Sequence, residues 1–363
     1  MTVAPMLTLR PLGLGQLLDQ AIRLYRRNFF VFIGIVAIVQ VPLSLFQTVL
    51  SLLTFGDFFA QLQSGQPPDD PFALFDSGYF IGLGGSILLG IISYFLIQGV
   101  AAAALARAIA QGYLGESIGI LEAYHKIRSA ISPLIVALLL AIVLIIGLII
   151  WFIIPCVGWI TGAGMLAFFG FVIFPLIAPI VVLERKKGAE AIARAWELAR
   201  RRFWWVLGFV LILTIFSQLI ITGPVALVSF LFQFLGGSSF TSASTSTLFT
   251  LQTIVQALVG LIFSLVYLPL QSTGITLMYF DLRVRTEGFD LALLAEGDSI
   301  DKLDIIDITS QTPPLERGKW ITMAEIGYFA LVSLGALALY ILLVVIFGAI
   351  GLAILGASGG AGF

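Results

Sequence analysis

Long apolar runs alternate with short polar segments along the whole chain. Seven of the runs reach about 20 residues or more, the length that an α-helix needs to cross the hydrocarbon core of a bilayer. They cover residues 29–53, 79–106, 131–154, 157–183, 204–233, 248–280 and 323–356. The pattern predicts an all-α, multi-pass transmembrane helical bundle of about seven spans, with six or eight as the alternatives. A break at Gly223 and Pro224 would shorten the fifth span and leave 225–235 at the membrane surface.

Basic residues are confined to alternate polar segments. All 19 Lys and Arg residues fall within 10–27, 107–128, 185–202 and 283–319. The polar segments 54–78 and 234–247 contain none. Because cytoplasmic loops collect Lys and Arg while translocated loops do not, we predict a cytoplasmic amino terminus and a carboxyl terminus outside the cell.

Short amphipathic segments precede the first, third and fifth spans, and they are similar to one another. Residues 21–34 (AIRLYRRNFFVFIG) align without gaps to 195–208 (AWELARRRFWWVLG) with six of fourteen positions identical, and 123–128 (AYHKIR) is a fainter copy. Each copy has an apolar stripe opposite a polar one. We expect the apolar stripe to sink into the inner leaflet while the basic residues meet anionic headgroups. The alternative is that these helices only orient the spans during insertion.

The repeat predicts how the chain is organised. A cytoplasmic amphipathic segment, a six-span membrane domain, a cytoplasmic acidic and Pro-containing linker and a carboxyl-terminal transmembrane helix cover 1–28, 29–283, 284–321 and 322–363. With their amphipathic segments, the three repeats cover about 12–106, 117–183 and 188–283. The last helix is predicted to stand alone, tethered to the bundle by the linker.

Two motifs resemble a known bacterial family. The segment 9–29 (LRPLGLGQLLDQAIRLYRRNF) and the segment 279–291 (YFDLRVRTEGFDL) are similar to the beginning and end of the membrane domain of glycerophosphoryl diester phosphodiesterases. That domain also occurs in stand-alone membrane proteins. The resemblance covers roughly 9–292 and implies a membrane-domain fold in a bacterial cytoplasmic membrane. In the fused relatives hydrolysis belongs to a separate soluble barrel that this sequence does not contain, so the resemblance transfers no catalytic residue.

Composition removes most reactive chemistry. The chain has one histidine, His125, and one cysteine, Cys156, which argues against a zinc site and excludes an internal disulfide. No Asp, Glu, Lys, Arg or His is predicted deep within the first six spans, which argues against a proton-coupled carrier. Basic residues flank the spans and form no soluble patch, so nucleic acid is not an expected partner. We therefore predict no enzymatic activity, no cofactor and no metal.

The basic residues of the amphipathic segments are the first candidate site. They are predicted to contact lipid headgroups of anionic character. The set is Arg23, Arg26, Arg27, Lys126, Arg128, Arg200, Arg201 and Arg202. The leading functional hypothesis is a non-enzymatic membrane module that binds lipids or an unidentified membrane protein, with a homo-oligomer as a further option.

A second candidate site lies within the membrane. Gln98 and Gln271 occupy similar places in the second and sixth spans, and Ser272 and Thr273 follow directly. A polar cavity formed by these four residues would favour the alternative function, a permease or flippase for a small polar or amphipathic solute. Simple interhelical hydrogen bonding is the competing interpretation, because buried amides in membranes need partners.

Overall fold

The fold is all-α in the part of the chain that the structure describes. The structure is a computed structural model, and it describes residues 11–63, 77–113, 119–238, 245–290 and 321–359. Within these ranges, seven helical stretches are long and apolar enough to cross a membrane: Phe29–Thr54, Phe80–Tyr113, Arg128–Ile153, Val157–Glu184, Phe203–Phe234, Thr247–Glu287 and Met323–Val345. The chain is therefore an integral membrane protein, as its hydropathy predicts.

The spans are built from α-helices that three short π-helical segments interrupt. The α-helices are α1 (Leu14–Arg27), α2 (Phe29–Gln63), α3 (Ser77–Tyr94), α4 (Ala102–Tyr113), α5 (Ile120–Lys126), α6 (Ile131–Ile153), α7 (Val157–Phe168), α8 (Phe174–Glu184), α9 (Ala189–Arg200), α10 (Phe203–Ser217), α11 (Gly223–Ser238), α12 (Thr245–Glu287) and α13 (Met323–Gly359). The π-helical segments are Phe95–Ala101, Phe169–Ile173 and Gln218–Thr222. Such segments widen a helix locally and occur often at functional sites.

The chain divides into two compact units. Unit 1 contains Met1–Leu138 and Pro175–Leu315, and unit 2 contains Leu139–Phe174 and Glu316–Phe363. In unit 1, the long helix α12 packs against α2, α1, α11 and α4. Unit 1 also contains the three short helices α1, α5 and α9, which precede α2, α6 and α10.

Burial follows the repeat that the sequence indicates. A shift of 174 residues takes Ala21 to Ala195, and a shift of 102 residues takes it to Ala123. Buried positions in the first repeat are Leu17, Ala21, Leu24, Tyr25, Phe32, Ile35 and Val36, and their equivalents Ala191, Ala195, Leu198, Ala199, Val206, Phe209 and Val210 are buried in the third. In the second repeat, Ala123, Ile127, Leu134, Ala137 and Leu138 are buried at the matching places. The three short helices therefore meet the bundle in the same register.

The short helices differ from the prediction in what covers their apolar stripes. Leu17 and Ala21 of α1 are buried within the protein, where α1 packs against α12. The Tyr25 hydroxyl donates a 2.8 Å hydrogen bond to the Val266 carbonyl. An apolar stripe is satisfied equally by lipid or by protein, and here it packs on protein. The buried stripe of α1 therefore faces α12.

Two further predictions about helix ends are corrected. The second and sixth spans were expected to end at residues 106 and 280, but α4 continues to Tyr113 and α12 to Glu287. The charged residues Arg107, Asp281 and Arg283 in these last turns are buried within the protein. The fifth span is not broken at Gly223 and Pro224. The π-helical turn before Gly223 shifts the hydrogen-bonding register, so Pro224 enters in the first turn of α11, where proline is tolerated.

In unit 2 the last helix does not stand alone. The helix α13 packs along α7, and the Gly164 amide donates a 2.8 Å hydrogen bond to the Ser333 hydroxyl. Phe168 and Phe329 meet edge to face, with ring centroids 6.0 Å apart. A Cβ at Gly164 would lie 2.1 Å from the Phe329 carbonyl oxygen, so only glycine allows this approach. The prediction of an isolated, tethered helix missed this contact because it depends on one small residue in another span.

Candidate functional site

Five buried side chains form a closed ring where α8, α9 and α12 meet. The ion-pair ring consists of Glu184 at the end of α8, Arg194 in α9, and Tyr279, Arg283 and Glu287 in the last turns of α12. All five belong to unit 1, and the side chains of Arg283 and Glu287 are each 1% exposed. The three residues of α12 are spaced by four, which places them on one face of the helix.

Each member of the ion-pair ring contacts the next. Arg194 Nε donates to Glu184 Oε2 at 2.7 Å, and Arg194 Nη1 forms an ion pair with Glu287 Oε1. Arg283 Nε donates to Glu287 Oε2 at 2.9 Å, and Arg283 Nη1 donates to the Tyr279 hydroxyl at 3.2 Å. The Tyr279 hydroxyl closes the ring by donating to Glu184 Oε1 at 2.9 Å. Two guanidinium groups and two carboxylates balance, so the ring carries no net charge.

The two carboxylates favour the charged form of Arg194. Burial by itself lowers the pKa of the Arg194 guanidinium, but Glu287 and Glu184 outweigh burial and raise that pKa above its ordinary value. The Phe289 ring covers the Arg283 guanidinium at 4.5 Å, directly after the helix ends at Glu287. The ion-pair ring therefore holds α8, α9 and α12 together through contacts that are buried from water.

A second polar cluster attaches the chain before α1 to α12. Asp281 accepts hydrogen bonds from the Leu12 amide at 2.8 Å and from Arg285 Nε at 2.7 Å. Arg285 Nη2 also donates to the Leu12 carbonyl at 2.6 Å, and its guanidinium lies 5.5 Å from the centroid of the Trp205 ring. Asp281 and Arg285 thus hold the backbone amide and the carbonyl of the same residue, Leu12.

A small cavity lies beside this cluster. Its volume is about 10 Å³, and its polar lining includes Gln20, Tyr113 and Asp281. The Gln20 amide donates to the Tyr113 hydroxyl at 3.1 Å. A shift of 174 residues takes Gln20 to Arg194 and Tyr113 to Glu287, so this hydrogen bond is the first-repeat equivalent of an ion pair in the ring. A cavity of this size has room for about one water molecule, far below the roughly 300 Å³ at which small-molecule sites usually begin.

The basic residues predicted to meet headgroups are exposed, except for Arg200, which is partly buried. Exposed are Arg23, Arg26, Arg27, Lys126, Arg128, Arg201 and Arg202. Arg200 differs, because its side chain is 13% exposed, forms an ion pair with Glu197 at 3.4 Å and lies over the Trp196 ring. Among the exposed residues, Lys126 pairs with Glu122 at 2.8 Å and Arg23 with Asp19 at 3.6 Å. The Glu122 carboxylate accepts a hydrogen bond from Lys126, and this bond lowers the pKa of Glu122.

The predicted intramembrane polar site is not assembled by hydrogen bonds in the described part of the chain. Gln98 lies partly buried in the π-helical segment Phe95–Ala101, and Gln271 and Ser272 lie partly buried in α12. Thr273 is fully buried, and its hydroxyl donates to the Pro269 carbonyl one turn earlier in the same helix. The structure thus brings Gln271, Ser272 and Thr273 together only as neighbours along one helix.

The residues that carry the ion-pair ring were missed by sequence reasoning. Their basic members were assigned to membrane-flanking clusters and expected at the surface. A signal was present in the spacing of Tyr279, Arg283 and Glu287, because a residue every fourth position marks one helix face. The partners Glu184 and Arg194 come from other helices, and no local pattern indicates that contact.

Reactive groups are sparse in the described residues. No group of three or more His, Cys, Asp or Glu residues is placed there to hold a metal ion. His125 is exposed on α5, and Cys156 is exposed in the turn between α6 and α7.

Comparisons with known proteins provide no relative for this chain. No family model matches it, and neither a curated protein nor a solved structure matches it.

Proposed function

We propose that this integral membrane protein is a non-enzymatic module that binds anionic lipid through the three short helices α1, α5 and α9. The observation that carries the proposal is the sorting of charge within unit 1. Arg194 and Arg283, which pair with carboxylates in the ion-pair ring, are buried. The exposed set lies on or directly after the short helices: Arg23, Arg26, Arg27, Arg128, Arg201 and Arg202. Basic residues held at a membrane surface attract anionic headgroups.

The interior of the bundle supports a packed module. The residues of α8 from Leu176 to Leu183 are apolar and buried in succession, so they cover every direction around the helix axis. Pro175 and Pro179 therefore line no polar path along this helix. A packed apolar interior is what a lipid- or partner-binding module requires, and a solute pathway requires the opposite.

Orientation and family are part of the proposal. The one-sided distribution of Lys and Arg supports a cytoplasmic location for the short helices and an outside location for the carboxyl terminus. The resemblance of 9–29 and 279–291 supports a relationship to the membrane domain of glycerophosphoryl diester phosphodiesterases in a bacterial cytoplasmic membrane.

Neutralising the exposed arginines is expected to remove the preference for anionic lipid. The variant replaces Arg26, Arg27, Arg201 and Arg202 with glutamine. Each base near an anionic surface contributes up to about 1 kcal/mol, so we expect the enrichment of phosphatidylglycerol over phosphatidylcholine around the protein to fall by about tenfold or more. The measurement is the lipid composition retained by the full chain after reconstitution in mixed nanodiscs.

The matched control is Arg200→Gln. Its side chain belongs to a helix end with the same sequence character, but it packs against Trp196 and pairs with Glu197. The control is expected to keep the preference for phosphatidylglycerol. An equal loss in the control and the quadruple variant would contradict a surface role for the exposed set.

Transport of a small polar or amphipathic solute is the second candidate. Two observations favour it. Gln98 lies in a π-helical segment, and the side-chain oxygen of Gln40 is buried without a hydrogen-bond partner in the described residues. Polar groups of this kind can take part in a transient pathway. Under this function, Gln98→Leu and Gln271→Leu should abolish solute uptake by liposomes while thermal stability is kept. Uptake that survives both changes would remove these residues from any pathway.

A further inference from the structure

The first and third repeats place an arginine and an aromatic residue at matching positions. A shift of 174 residues takes Arg27 to Arg201 and Phe30 to Trp204. Both arginines are exposed, Phe30 is 84% exposed and Trp204 is 49% exposed. Large aromatic side chains left this open by the protein need another apolar neighbour.

The two pairs occupy matching places at the junction of a short helix and a span. In each repeat the arginine lies at or just after the end of a short helix, and the aromatic residue is the second residue of the span that follows. In each pair the aromatic residue lies three positions after the arginine. The short helix is held to the bundle by its buried face, through Ala21 in the first repeat and Ala195 in the third. The pair is therefore fixed relative to the start of its span.

The second repeat lacks the pair. The positions equivalent to Arg27 and Phe30 are Ser129 and Ser132, and both serines are exposed. Five of the seven positions that are buried in the first repeat are buried in this repeat too. The chain thus carries the exposed arginine–aromatic pair in the first and third repeats. The second repeat, which lacks it, is called the blank repeat.

We propose that Arg27 with Phe30 and Arg201 with Trp204 are two discrete sites for the headgroup of an anionic phospholipid. The inference rests on the proposed function and adds a number of sites and their residues to it. A guanidinium binds a phosphate through two parallel hydrogen bonds. An aromatic ring one turn away lies at the headgroup level, where aromatic residues are favoured, and covers the start of the acyl chains. The charge and the apolar surface together match a phospholipid in the leaflet.

The test counts bound lipids by native mass spectrometry of the full chain, extracted from bilayers of phosphatidylglycerol and phosphatidylcholine. The unaltered protein is expected to retain two phosphatidylglycerol molecules. The variant R201Q with W204L is expected to retain one, and so is the variant R27Q with F30L. Because Arg27 also donates to the Gly112 carbonyl, F30L alone provides a first-site variant that keeps this bond.

The blank repeat provides both a control and a gain of binding. Arg128→Gln in the second repeat is expected to leave two bound lipids, because Arg128 is equivalent to Arg26 and the position equivalent to Phe30 is Ser132. Ser129→Arg with Ser132→Trp is expected to add a third. A graded loss that follows net charge alone, including in Arg128→Gln, would overturn the two sites and leave the proposed function intact. An unaltered protein that does not prefer phosphatidylglycerol would overturn both.

Discussion

Replacing Glu287 with alanine is expected to destabilise the protein more than any other single change in the ion-pair ring. Glu287 pairs with Arg194 and lies 2.9 Å from Arg283, closer than the 3.8 Å between Glu184 and Arg283, and its side chain is 1% exposed. Removing it leaves two buried guanidinium groups with only Glu184 to balance them. Breaking a buried ion pair in this way costs about 3–5 kcal/mol. We expect a large loss of folded protein, measured by the thermal unfolding midpoint in detergent micelles.

An exposed carboxylate of the same chemistry serves as the control for this change. Glu190 lies in the first turn of α9, four residues before Arg194, and its side chain is exposed. Glu190→Ala is expected to change the unfolding midpoint little, because exposed charges contribute about 0–1 kcal/mol. If both variants unfold at the temperature of the unaltered protein, the ring does not hold α8, α9 and α12 together.

An apolar replacement of the whole ring separates two explanations of its presence. Glu184, Arg194, Arg283 and Glu287 would be replaced together by methionine, and Tyr279 by phenylalanine. Buried ion pairs exchanged for packed apolar residues are often neutral or stabilising, so this variant is expected to recover much of the stability that Glu287→Ala loses. Recovery would mean that the ring specifies which helices meet more than it adds stability.

The elements of the fold could be predicted from the sequence because each depends on local composition. Seven apolar runs gave seven spans, and the match of 21–34 with 195–208 gave a repeat that the buried positions Phe32 and Val206 follow. The apolar stripe of α1 was also visible. The sequence did not show that α12 covers this stripe, because an apolar stripe that includes Ala21 can pack equally well on lipid or on another helix.

The candidate site could be predicted only in part. The exposed bases Arg26 and Arg128 were identified because they need no partner from another helix. The ring was missed because an arginine beside a span has the same sequence context whether it faces water or pairs inside. Arg283 and Glu184 are 99 residues apart in sequence, and only the tertiary packing brings them within 3.8 Å of each other.

The second large effect is expected from Gly164→Val in unit 2. The added Cβ would meet the carbonyl oxygen of Phe329 at 2.1 Å, a distance that no side-chain rotation relieves because the obstacle is backbone. The helices α7 and α13 must then separate, which also breaks the hydrogen bond from the Gly164 amide to Ser333. Small residues at helix contacts are the usual basis of close packing in membranes, so little else compensates.

Cleavage of the linker makes the separation of α7 and α13 measurable. A protease site placed within 291–320 frees the fragment that contains α13, and co-purification then reports whether this fragment stays bound. With Gly164 intact the fragment should remain, because α13 is held by packing as well as by the chain. With Gly164→Val it should be lost. The control is Gly335→Val on α13, where a Cβ has no neighbour within 4 Å and the fragment should be retained. Retention in Gly164→Val would mean that α13 is held by contacts other than the close approach at Phe329.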